Sequence, residues 1–180
     1  MTAKWSTRRM TQDRLKKLAE SLDILIEKDD LKAKYAGEIA GLRSAAACEI
    51  HGICAAFVAN INALLSRTRV ELAPARFLPE NFRDEEPNLL QISVRGRILQ
   101  VEFEAPERLI STEHFRVPYI LEGAVRSFNQ ELLDREAIEE QLLFFCLEKS
   151  RNLWRFFDGR TYQTGPFNQE YLVSLLERIL

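Results

Sequence analysis

Apolar residues recur at steps of three and four from Leu31 through Tyr35, Ile39, Leu42, Ala46, Ile53, Phe57 and Ile61 to Leu64. A second stripe, of small residues, runs beside them at Gly37, Gly41, Ala45, Gly52, Ala56 and Ala63. These are helical steps. A single helix over 31–66 would be ~54 Å long at ~1.5 Å per residue, more than one side of a small core needs, so the spacing predicts that part of it meets another helix. Upstream, Leu15, Leu18, Leu22 and Leu25 recur at heptad-like steps in a charged background and predict a first helix of about four turns. The apolar phase changes between Glu27 and Leu31, where Asp29 or Asp30 would cap a new helix start. Residues 11–66 therefore read as a helical arm, either one long helix or a helical hairpin, after a loose basic N-terminus over 1–10.

Pro74, Pro79 and Pro87, together with Asp84-Glu85-Glu86, end the helical pattern and mark a connector over 67–88, the one boundary along the chain. Beyond it the period changes to two. Leu90, Ile92 and Val94 alternate before Gly96-Arg97, and Leu99, Val101 and Phe103 alternate after it. A two-residue loop at Gly96-Arg97 would pair Val94 with Leu99, Ile92 with Val101 and Leu90 with Phe103, placing all six on one face. Tyr119 to Leu133 reads as a strand bent at Gly123, whereas Gln141 to Leu147 suits either a strand or a helical turn. Leu153–Phe157 and Arg160–Thr164 flank Asp158-Gly159, which predicts a tight hairpin turn with Gly159 at positive backbone angles. After Gly165-Pro166, Asn168 is placed to cap a final helix, with Phe167 stapled against Leu172 and with Leu175, Leu176 and Ile179 on its buried face. The fold class expected is α+β: a long N-terminal helix or helical hairpin, a largely antiparallel sheet of four to six strands, and a C-terminal helix packed on the sheet over 89–180.

Composition narrows the classes of function. The chain has 180 residues, 46% hydrophobic and 29% charged, with a formal net charge of -2, so it is an ordinary globular chain with no overall basic charge to draw it to nucleic acid or an acidic membrane. Three cysteines, Cys48, Cys54 and Cys146, lack the density of a disulfide framework and point to a reducing, cytoplasmic setting. Ser6-Thr7-Arg8-Arg9 resembles a twin-arginine signal, but Met10–Lys17 is polar and basic where an apolar segment should follow. Ser44–Leu65 is long enough for a membrane span, yet it carries Glu49, His51, Asn60 and Asn62, so a soluble packed helix is the reading preferred.

Candidate chemistry is sparse. Cys48, His51 and Cys54 follow one another at steps of three on the long helix, a zinc-type donor set that would take a fourth ligand from Cys146 or His114, but buried packing accounts for them more simply and no metal is assigned. The same thiol and imidazole groups lack the electropositive, partly exposed site that a nucleophilic cysteine needs. Glu102, Glu104 and Glu107 are the candidate paired carboxylates, with solvated hairpin charge as the plainer account. No GxxxxGK[ST], GxGxxG, HExxH or GxSxG occurs, so no catalytic residue and no cofactor is assigned. Arg8, Arg9, Arg14, Lys16 and Lys17, with Trp5 among the neighbouring residues, and the hairpin-tip residues Arg95 and Arg97 are candidate nucleic-acid contacts. Glu131, Asp134, Glu136, Glu139 and Glu140 form an acidic counterpart.

Trp154, Phe156, Gly165-Pro166-Phe167 and the helix starting near Asn168 resemble the strand, GPF and helix segment of GYF-type adaptor domains, whose activity is binding proline-rich peptides. The likeness covers about 27 residues and lacks the glycine-tyrosine-phenylalanine element, so peptide binding is not carried over. The order of helix, strands and final helix is similar to that of small acidic dimeric secretion chaperones, with no shared motif. The expectation drawn is a non-enzymatic, cytoplasmic protein–protein interaction or regulatory module. It would self-associate as a homo-oligomer through Gly37, Gly41, Ala45, Gly52 and Ala56 and engage a protein partner. The alternatives are a nucleic-acid-binding accessory protein and an enzyme of unrecognised type.

Overall fold

The structure is a computed structural model that describes residues 3–106, 118–130 and 138–180, with side chains from Arg14 onward except that of Lys32. Helix α1 spans Ala3–Leu64 without interruption. The phase change at Glu27–Leu31 is thus a shift of stripe within one helix and not a turn, and Asp29 and Asp30 lie inside it. The chain divides into two compact units, residues 1–40 and 41–180.

The first unit consists of the N-terminal part of α1. From Arg14 to Ala40 every described side chain is exposed apart from the half-buried Ile39. Its large apolar residues include Leu15 at 60%, Leu31 at 66% and Tyr35 at 60% exposure.

In the second unit, seven strands form one antiparallel sheet in simple sequence order: β1 (Glu71–Ala73), β2 (Asn88–Val94), β3 (Arg97–Glu104), β4 (Tyr119–Asn129), β5 (Glu139–Cys146), β6 (Leu153–Asp158) and β7 (Gln163–Pro166). The extra strand is β1, a three-residue edge that lies inside the expected connector, immediately before Pro74. Period-two alternation fixes the faces. Ile92 pairs with Leu99, Leu90 with Val101, Val101 with Val125, Leu121 with Phe145, and Phe145 with Trp154. All of these are buried on the inner face. The last part of α1 covers that face with Ala46, Ala47, Ile50, His51, Cys54 and Phe57, and the buried Trp154 indole N–H donates to the Ala46 carbonyl at 2.8 Å. Trp154 is held between Phe103 and Phe145, with ring centroids 5.3 and 5.4 Å away.

Helix α2 (Gln169–Glu177) follows β7, with Asn168 Oδ1 accepting from the Tyr171 backbone N–H as its cap. Its buried residues Tyr171, Leu172, Leu175 and Leu176 complete the covering layer. The Tyr171 hydroxyl donates to Gln141 Oε1 at 2.5 Å, and Gln141 Nε2 donates to Asp158 Oδ2 at 3.1 Å. The Tyr171 ring stacks on Phe156 with centroids 4.1 Å apart, and Phe156 in turn lies across Gly165 of β7.

Both hairpins form, with turns other than those expected. The β2–β3 loop is Arg95-Gly96, one residue earlier, with φ of 42° and 78°. Two successive positive φ values define the turn whose twist matches the strands, and glycine occupies its second position. The pairing consequently moves by two residues, to Ile92 with Leu99, while the shared face is kept. At the β6–β7 turn, Asp158 Oδ1 accepts from the N–H groups of Arg160 and Thr161, and Tyr162 N–H closes on the Asp158 carbonyl at 2.8 Å. This wider Asx-type turn puts the positive φ of 58° at Tyr162 and leaves Gly159 with none, correcting the tight-turn expectation; β7 starts at Gln163 as a result. Gln141–Cys146 is strand, and β4 ends at Asn129, so Glu131–Leu133 lie outside the described residues.

Gly123 marks the tightest approach in the sheet. A Cβ there would overlap the Glu102 carbonyl oxygen and sit 2.7 Å from Phe103 Cα. Gly123→Ala should therefore destabilise the protein by at least ~1–3 kcal/mol, the usual cost of overpacking. At Gly159, where an added Cβ meets nothing within 4 Å, Gly159→Ala should leave stability unchanged or slightly raised. Denaturant unfolding of the two variants beside the parent protein checks both.

Candidate functional site

The α1 segment over 41–64 has two unlike faces. Towards the sheet lie Ala46, Ala47, Ile50, Cys54 and Phe57; on the opposite side Gly41, Ala45, Gly52 and Ala56 are exposed. Gly37, in the first unit, is exposed as well. A Cβ added at Gly37, Gly41 or Gly52 would meet no atom within 4 Å. These glycines are therefore not demanded by packing within the chain. The four stripe residues of the second unit form a smooth outward strip on which another backbone has room to approach.

Cys48, His51 and Cys54 do not form a common site. His51 Nε2–H donates to the Pro74 carbonyl at 3.0 Å and its ring stacks on Phe77. Cys54 is fully buried, and burial pushes its thiol up to about 12; Cys146, beside Phe144 on the outer face, is pushed to about 12 by the same cause. Cys48, half-buried, is raised as well, first by burial and then by Glu80. All three are unpaired thiols. Among the described residues no three His, Cys, Asp or Glu side chains converge as metal donors. His114, Glu107, Asp134 and Glu136 lie outside the described residues.

The outer face of the sheet is polar at its centre. Arg126 bridges Glu140 at 2.6 Å and Glu102 at 3.0 Å, beside an open depression of about 350 Å3 that also touches Glu104, Glu122, Leu142 and Phe144. Arg126 is committed to these carboxylates, so its cationic head is not offered to a ligand. Tyr119, Phe144, Cys146 and Phe157 form a small apolar cluster further along the same face.

A second concavity, of about 370 Å3, was not anticipated. Ile61 of α1, Leu65 just after it, Val94 from β2 and Leu176 from α2 line it, together with Arg95 and Arg97 of the hairpin tip. Thr68 and Val70, from the segment between α1 and β1, line it too. The hairpin-tip arginines flagged by sequence thus line a largely apolar groove. No local motif could have marked this groove, because it is assembled from three stretches distant in sequence. Arg14, Lys16 and Lys17 are exposed on the N-terminal part of α1, whereas the side chains of Arg8 and Arg9 lie outside the described residues.

No protein-family model, curated protein or solved structure matches this chain. Neither the GPF segment nor the order of elements therefore establishes membership of a family.

The thiols provide a direct check on this geometry. With Cys54 and Cys146 buried and their thiolates disfavoured, a maleimide added to native protein near pH 8 should modify Cys48 first, and Cys48→Ser should remove most of the rapid labelling. Mass spectrometry of the labelled peptides reads this out. Equal rates at Cys54 would show that the helix does not seat on the sheet as described.

Proposed function

We propose that this chain is a non-enzymatic protein–protein interaction or regulatory module of the cytoplasm that self-associates through its long N-terminal helix. What supports this reading is the set of large apolar side chains that α1 leaves exposed: Leu15, Leu18, Leu22, Leu25, Leu31 and Tyr35. An isolated helix gains little from propensity alone, and most helical stability comes from burying an apolar face. Soluble proteins also rarely leave contiguous apolar patches of this kind uncovered.

The small-residue strip adds a second argument. Glycine inside a helix costs about 1 kcal/mol relative to alanine, and at Gly37, Gly41 and Gly52 no internal contact offsets that cost. Close packing of another helix supplies the offset, and a two-fold interface would bring the strip against itself. The unpaired thiols support a reducing compartment.

Light scattering on the full chain at tens of micromolar should report an oligomer. Gly41→Leu combined with Ala45→Leu should convert it to monomer or aggregate while the strand signal in circular dichroism persists. A monomeric parent protein at that concentration would contradict the proposal.

A further inference from the structure

We infer that the groove lined by Arg95 and Arg97 at the end of α1 receives residues 20–31 of the N-terminal helix of a second copy. The inference rests on the self-association reading and specifies which surface that helix meets. The groove is lined by the apolar Ile61, Leu65, Val94 and Leu176 and by two arginines, Arg95 and Arg97. Among the described residues neither arginine is in an ion pair. Arg97 donates Nη1–H to the Arg95 carbonyl at 2.8 Å, while its Nε is buried with no partner. Glu71 on β1 and Glu170 and Glu177 on α2 are the acidic residues of the neighbouring strand and helix, and none of them lines the groove.

The matching surface lies on the helix over residues 20–31. Leu22, Leu25 and Ile26 stand at positions i, i+3 and i+4 and are all exposed. Glu20, Asp23, Glu27 and Asp30 follow steps of three, four and three, so they form a second stripe alongside the apolar one. Lys28 is the one basic residue of the segment, which keeps it strongly negative. An amphipathic helix laid in a groove is read through such i, i+3, i+4 anchors, and an acid stripe beside them would face the two arginines. Like-charge contact disfavours other placements: the basic turn at Arg14, Lys16 and Lys17 is repelled by the same arginines, so charge sets which part of the helix enters. The occupant is therefore a second copy of this chain, held by apolar contact and aligned by charge.

A charge-swap experiment on the full chain tests this. One variant carries Arg95→Glu, an exposed position on the groove, leaving the half-buried Arg97 in place. The other carries Asp23→Lys, Glu27→Lys and Asp30→Lys. Thermal unfolding establishes that each is folded, and sedimentation equilibrium measures association. Each variant alone should associate at least about tenfold more weakly than the parent protein, and an equimolar mixture of the two should regain association through the swapped pair. If the parent protein associates, both variants match it, and Gly41→Leu with Ala45→Leu dissociates it, the groove assignment is wrong while self-association stands. A parent protein that is monomeric removes both. Loss of binding to a single-stranded oligonucleotide in the arginine variant, with association unchanged, would assign the groove to nucleic acid instead.

Discussion

The structure of the second unit depends on one contact, the seating of α1 residues 46–57 on the inner face of the sheet. The inner face of the seven-stranded meander is apolar along its length, and an antiparallel sheet of this kind needs a covering layer on its apolar side. Ala46, Ala47 and Cys54 are small, which lets the helix backbone come close enough for the Trp154 indole to reach the Ala46 carbonyl. The bulk comes from the sheet side, from Trp154, Phe103, Phe145 and Leu143. Burying each such side chain is worth ~1.5–3 kcal/mol against leaving it in water, so this layer is a major part of the stability of residues 41–180. The α2 helix closes the remainder through Leu172 and Leu175 and through the Tyr171–Gln141–Asp158 hydrogen-bond chain.

Upstream of this contact the same helix changes its character. Its covalent structure and period continue, but its leucines are exposed and its charges are segregated into a basic turn at Arg14–Lys17 and an acidic stripe from Glu20 to Asp30. A helix that serves as core lining over one stretch and exposes leucines over another is suited to hold a folded unit and present a docking strip together. The proposed function rests on that division. In the proposal, the groove lined by Arg95 and Arg97 receives the acidic stripe through apolar burial and charge alone.

Much of the fold was legible because local patterns carry it. Alternation at Leu90–Val94 and Leu99–Phe103 gave the right face even though the turn lies at Arg95-Gly96, since a shift of two residues preserves parity. The Asn168 cap and the C-terminal helix followed from side-chain chemistry within a few residues. What failed were features set by contacts distant in sequence. The β1 edge has only three residues and owes its place to β2, so it was lost among the prolines. The Asp158 turn depends on which backbone N–H groups that carboxylate finds, and dipeptide identity does not determine this. On α1, bulk was a poor guide to burial: Leu64 is exposed and Ala47 is fully buried, because the sheet brings the volume and the helix provides the room. The groove was invisible for the same reason, as Ile61, Val94 and Leu176 meet only after α2 has crossed the sheet.

The central claim is that one helix divides its apolar surface between an internal core and an interface between copies. Hydrogen exchange followed at low and high protein concentration measures both halves at once. Amides over 46–57 should be strongly protected at every concentration, while those over 14–42 should be weakly protected in dilute solution and gain protection as concentration rises. Protection over 14–42 that does not change with concentration, or fast exchange over 46–57, would contradict the account.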